Sequence, residues 1–212
     1  MSSKEKNYHP TEEQLHCLSH AAAAVLSLIG CVLLVLKSWS QGGAALFASL
    51  AFGLSLFLLY LSSACYHGSV KSGPKALWRK LDHAAIYILI AGSYTPFTLI
   101  SMRDSWGFWL VAVVWSIAII GVLLEFVAHL KFQKLSLVLY LAMGWLAVVA
   151  ANPLLRTVPA EGLWWLLAGG LCYSFGVIFY LWHSLFLHHV IWHLWVVAGS
   201  VCHFVSIYFY VL

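Results

Sequence analysis

His189-Val190-Ile191-Trp192-His193 sets two imidazoles four residues apart. On a helix that spacing puts both on one face, so the pair can reach a single metal ion. His16-Cys17-Leu18-Ser19-His20 repeats the spacing and competes for the same role. Ser63-Ala64-Cys65-Tyr66-His67 places a hydroxyl one turn from another imidazole, and Asp82 adds a carboxylate before a further histidine, His83. Spacing alone leaves the choice among these groups open, because interfacial histidines also snorkel toward water without binding anything.

The elements that position these residues follow from composition. Of 212 residues, 63% are hydrophobic and 8% charged, where a soluble domain carries about a quarter charged. A helix crossing a bilayer needs about 20 apolar residues, and such stretches recur at 16–36, 44–66, 81–101, 107–128, 135–151, 162–182 and 190–212. The expected fold is therefore all-α, a bundle of seven transmembrane helices, with a short tail over 1–15 and one domain over 16–212. Gln41-Gly42-Gly43, Ser72-Gly73-Pro74, Asn152-Pro153 and Glu161-Gly162 supply the turns. Pro96, inside the third span, removes a backbone donor and predicts a kink. Cys17, Cys31, Cys65, Cys172 and Cys202 lie in or beside apolar stretches without paired spacing and read as packing residues.

Orientation follows from the basic residues. Lys4, Lys6, Lys71, Lys75, Arg79, Lys80, Lys131 and Lys134 fall on one side of the expected membrane, and Lys37, Arg103 and Arg156 on the other. The excess places the N-terminus in the cytoplasm and the C-terminus outside. Trp39, Trp106, Trp109, Trp164 and Trp165 mark the outer boundary. The net charge of +4 is dispersed over short loops, so no nucleic-acid surface is expected.

With that topology, His16, His20, His67, His83, His129, His183, His188, His189 and His193 all lie at cytoplasmic span ends. His203 lies about 15 Å deeper than His193, because ten residues rise at about 1.5 Å each, and it points away from the face of His193. Asp82, at the bilayer boundary, needs a partner or a cation to offset its desolvation. Glu125 and His129, one turn apart, suggest a proton relay, but an ion pair of Glu125 with Lys131 or Lys134 in water is the expectation.

Ser63-x-x-x-His67, Asp82-His83, Gly92-Ser93-Tyr94-Thr95-Pro96, and His189-x-x-x-His193 with Ala198-Gly199-Ser200 and His203 together resemble the hemolysin III branch of the PAQR family. That family is related to the alkaline ceramidases. The resemblance runs from about the first span to the C-terminus. It implies a zinc ion held by His67, His189 and His193, with Ser63 and Asp82 as catalytic residues beside the metal's water. The chain departs from the family's usual Glu-x-x-Asn-x-x-Thr/Ser-His before the first span: Glu13 is followed by His16, where Asn is usual, then by Ser19 and His20.

The activity this implies is hydrolysis of a lipid amide or ester, with Zn2+ as cofactor and a membrane lipid as partner, in membrane lipid homeostasis at a bacterial inner membrane. A lipid sensor with structural zinc is the second expectation. A pore-forming hemolysin is the third, and disfavoured, because no polar stripe lines a continuous channel. The residues say nothing about which lipid is bound or how many copies assemble.

Overall fold

The computed structural model describes residues 9–128 and 133–212. Among them every regular element is helical: α1 (Pro10–Ser38), α2 (Gly43–Gly68), α3 (Ser72–Pro96), α4 (Gly107–Ala128), α5 (Gln133–Gly144), α6 (Ala151–Thr157), α7 (Ala160–Leu181) and α8 (His188–Tyr210). A π-helical turn, Phe97–Ser101, extends α3, and a 3-10 turn, Trp145–Val148, follows α5. Helices α1 to α4, α7 and α8 are long and apolar enough to cross a membrane. Lys134–Val148 and Ala151–Thr157 form a bent pair, at 54°, that makes a seventh candidate. His129 and Lys131 lie outside the described residues.

Helix α1 shows how the sequence selects its faces. It begins at Pro10, earlier than the apolar pattern alone suggests, because proline suits the first turn and Glu12 and Glu13 complement the helix N-terminus. His16, His20, Ala23, Ser27, Cys31 and Leu34 are buried, a spacing of three or four residues that defines one stripe. Leu18, Val25, Ile29, Val32 and Leu36 are exposed. The polar residues thus face inward and the aliphatic ones outward, as lipid demands and water does not. Trp39, Trp106, Trp109, Trp164 and Trp165 are also exposed, which suits rings at a membrane boundary.

The helices close on themselves. Helix α1 packs on α2 and on α8, α2 on α3, α3 on α4 and α5, and α7 on α8. Ser19 near the start of α1 meets His193 near the start of α8 at 3.0 Å. At the far ends, Gln41 Nε2 donates to the Leu212 carbonyl at 2.8 Å, and the Lys37 ammonium donates to the Tyr208 carbonyl. First and last helices therefore run parallel. Close approach is needed where α2 meets α3, since a Cβ on Gly92 would stand 2.3 Å from Ser55 Oγ and 2.9 Å from the Ala51 carbonyl. The chain around Pro96 leaves α-geometry through the π turn, and Thr95 and Thr98 hydroxyls donate to the Ala91 and Tyr94 carbonyls at 2.8 and 3.0 Å. All five cysteines are free thiols.

One expectation is overturned. Glu125 is not a solvated helix-end charge: it is only 5% exposed, accepts a hydrogen bond from Ser136 Oγ at 2.7 Å and lies 3.6 Å from His83 Nδ1. Burial against α3 and α5 gives it a polar partner on each of those helices.

Candidate metal centre

Three helices bring imidazoles to one end of the bundle. His67 occupies the last turn of α2, where the apolar run ends. His189 and His193 stand in the first two turns of α8, and His16 and His20 lie two and three turns into α1. One ligand atom from each of His67, His189 and His193 can be chosen so that all three lie within 4.8 Å of one another. The ring centroids of His67 are 5.2 Å from His189 and 5.3 Å from His193, and those of His189 and His193 are 4.7 Å apart. The pairs that compete in the sequence therefore belong to one cluster. His16 packs 4.7 Å from both His67 and His189, and His20 stacks on His193 at 3.6 Å with an interplanar angle of 11°.

The hydrogen bonds around these rings fit a metal. His67 Nδ1–H donates to Glu13 Oε2 at 2.6 Å, and Lys75 Nζ donates to the other oxygen, Glu13 Oε1, at 2.8 Å. His67 Nε2 is buried and has no hydrogen-bond partner. A histidine that gives one nitrogen to a carboxylate and keeps the other unsatisfied has the arrangement found around metal ions, where the carboxylate fixes the tautomer and raises basicity. His193 Nδ1 stands 3.0 Å from Ser19 Oγ. Glu13, His16 and His67 form a second possible ligand group. The 2.6 Å separation of Glu13 from His67 Nδ1 is that of a hydrogen bond, however. Donors on one tetrahedral zinc, with bonds near 2.0 Å, stand about 3.3 Å apart, so Glu13 supports the site from behind.

Ser63 and Asp82 reach the same place from α2 and α3. Ser63 is buried one turn before His67, its hydroxyl lies beside the Asp82 carboxylate, and His83, His67 and Arg79 stand close to that carboxylate. Both residues line a cavity of about 1180 Å³ together with His20, His67, His189 and His193. The cavity continues along the bundle between α3, α5, α7 and α8, past Leu89, Phe97, Val148 and Leu166, to Met102, Leu154 and Trp164 at the other end. Its polar chemistry is concentrated at the histidine end, and its length is walled mainly by apolar side chains. A site of this size exceeds the usual range for a compact small molecule and suits a long chain.

Residue spacing does not single out Glu13 and Ser19 as supports, and it leaves the part played by His16 and His20 open. The signal was present: Glu13, His16 and His20 recur at three and four residues, a single helical face. Residues 8–204 match the family described as Haemolysin-III related. The chain is 42% identical over 202 residues to Hemolysin-3 of Bacillus cereus, covering 95% of this chain and 92% of that protein. It is 39% identical over 183 residues to a Hemolysin-3 homolog of Bacillus subtilis (strain 168), covering 86% of each. It is 28% identical over 200 residues to the Monocyte to macrophage differentiation factor of Homo sapiens, covering 88% of this chain and 80% of that one. With its histidine cluster at the head of a helical bundle and a match that spans nearly all of its length, the chain belongs to the hemolysin III branch of the PAQR family.

Proposed function

We propose that this protein is a zinc-dependent lipid hydrolase that cleaves an amide or ester bond at the head of the cavity. The observation that carries the reading is His67: its Nδ1 is committed to Glu13, and its buried, unpartnered Nε2 belongs to a cluster with His189 and His193 beside a chain-sized cavity. His67, His189 and His193 would hold the ion. When bound there, zinc supplies a Lewis acid that makes water nucleophilic near neutral pH.

The remaining work falls to the chain's own residues. Asp82 accepts the proton as water adds to the carbonyl carbon, and returns it to the departing nitrogen or oxygen as that bond breaks. Ser63, beside Asp82, donates a hydrogen bond to the oxyanion that develops on the carbonyl oxygen. The apolar walls hold the acyl chain and exclude water. An amine or alcohol and a fatty acid result.

Topology completes the proposal. Parallel first and last helices require an odd number of crossings, which favours the bent α5–α6 pair as a seventh span. The basic residues favour a cytoplasmic N-terminus, so the histidine end would face the cytoplasm, in a bacterial plasma membrane and in the service of lipid homeostasis.

Full-length protein, zinc-loaded in lipid nanodiscs, is expected to release fatty acid from ceramide or phospholipid. Asp82→Asn should lower the rate about 10²- to 10⁴-fold while keeping zinc and melting temperature. Absence of release from every substrate by folded, zinc-loaded protein would contradict hydrolysis. A second reading, a lipid sensor in which zinc ties helices together, is favoured by the origin of the cluster in α2 and α8 with supports from α1. It predicts instead that Asp82→Asn loses stability and function in parallel.

A further inference from the structure

The histidine end of the cavity reaches the surface through a rim that hydrolysis at the metal does not use. Arg79 on α3, Lys134 in the first turn of α5 and His183, just past the end of α7, all line the cavity. Lys134 and His183 are exposed and Arg79 is partly buried, so a group arriving at this end meets them without opening the core. Arg79 stands one turn before Asp82 on the same helix, close to the Asp82 carboxylate and to the Tyr180 hydroxyl of α7. A lipid whose chain fills the apolar length and whose reacting bond lies at the histidines must place its headgroup at this rim.

Charge at the rim is one-sided. Among the described residues the cavity wall holds two permanent cations, Arg79 and Lys134, and a single carboxylate, Asp82, which the proposed chemistry places at the reacting bond. Basic residues also collect at one membrane face for orientation alone. Their neighbours on α3 fit that description and stay off the wall: Lys80 does not line the cavity, and Lys75 donates to Glu13 at 2.8 Å. The Arg79 guanidinium stays charged and carries five N–H donors, more than one carboxylate engages. A choline or ammonium group would meet like charges here, which costs affinity. An anionic group would meet charge-assisted donors, and phosphate oxygens match the planar fork of a guanidinium.

We infer that Arg79 and Lys134 form a headgroup subsite for the phosphate of the lipid whose chain the cavity holds. The ligand class is therefore a phosphate-bearing lipid with a net negative headgroup, its chain along the apolar walls and its phosphate at the rim. A neutral ceramide lacks the group this subsite selects. This inference rests on the cavity holding a lipid, as proposed above, and not on turnover.

Equilibrium binding to the zinc-loaded full-length protein in a neutral detergent, by displacement of a fluorescent alkylglycerol, tests it. The competitors are octadecylglycerol ether and its phosphate monoester, which resist hydrolysis and differ only in the phosphate. The phosphate should bind about 10- to 100-fold tighter at low salt, as expected for charge-assisted hydrogen bonds, and the gain should shrink as salt is raised. Arg79→Gln combined with Lys134→Gln should remove most of the gain while leaving octadecylglycerol binding and zinc content unchanged. Lys134→Gln alone, at an exposed position, should remove part of it. Equal binding of the two ligands by the wild type overturns the subsite and leaves the hydrolytic reading standing. A gain that survives intact in the double variant assigns the phosphate to the metal and overturns the subsite as well. Inorganic phosphate at the same concentration should leave binding of the octadecyl phosphate unchanged; displacement by it would make the rim a site for free phosphate and overturn the headgroup assignment. Failure of both octadecyl ligands to bind overturns the lipid cavity and the subsite with it. The wild-type comparison and Lys134→Gln decide the matter even if the double variant does not fold.

Discussion

Glu13 on α1 and His67 on α2 are joined by a hydrogen bond of 2.6 Å, from the imidazole Nδ1–H to the carboxylate. The bond leaves His67 Nε2 as the nitrogen available to a ligand and ties the first helix to the candidate metal centre. Lys75 from α3 holds the second carboxylate oxygen, so three helices meet at one side chain.

Removing that support should weaken metal binding without removing a ligand. Glu13→Ala is expected to lower zinc affinity about 10- to 100-fold, measured by competition with a chelator of known affinity. Glu13→Gln, which keeps an oxygen acceptor for Nδ1–H, should lose less. Equal affinity in wild type and Glu13→Ala would remove Glu13 from the site's support.

His20 distinguishes packing from ligation. It stacks on His193 at 3.6 Å and nearly parallel. His20→Phe retains an aromatic face for that stack, so zinc content should stay at the wild-type value. Loss of zinc in His20→Phe, with the helical circular dichroism unchanged, would make His20 a ligand.

Glu125 marks a polar cluster with a structural task. Truncation in Glu125→Ala strands the Ser136 hydroxyl and removes the acceptor 3.6 Å from His83 Nδ1. The expected cost is about 1–3 kcal/mol, seen as a lower melting temperature with zinc content unchanged. Glu125→Gln keeps an acceptor for Ser136 and should cost less. Zinc lost with stability unchanged would place Glu125 in the metal centre instead.

Much of this organisation is written in local pattern. Apolar length locates α1 to α4, α7 and α8, because each crossing must satisfy its backbone internally and offer lipid an apolar face. The bend after α5 was not legible: Val149 and Ala150, where the helix breaks, carry none of the glycine or proline signals that mark turns. Pro153, which reads as a turn residue, lies in the first turn of α6, where its missing N–H costs nothing. At the candidate site the helical spacing of His189 and His193 was legible, but the contact between Glu13 and His67 was not, since 54 positions separate them. The surroundings of Glu125 are hidden from the sequence for a related reason. Its partners Ser136 and His83 lie on other helices, and the sequence shows only the nearby lysines.

The measurement that bears most directly on the central claim is the metal content of the purified full-length protein and its His67→Ala, His189→Ala and His193→Ala variants, by elemental analysis, with folding checked by circular dichroism. The account predicts close to one zinc per chain in the wild type and little or none in each folded variant. Wild-type zinc content in all three folded variants would contradict it.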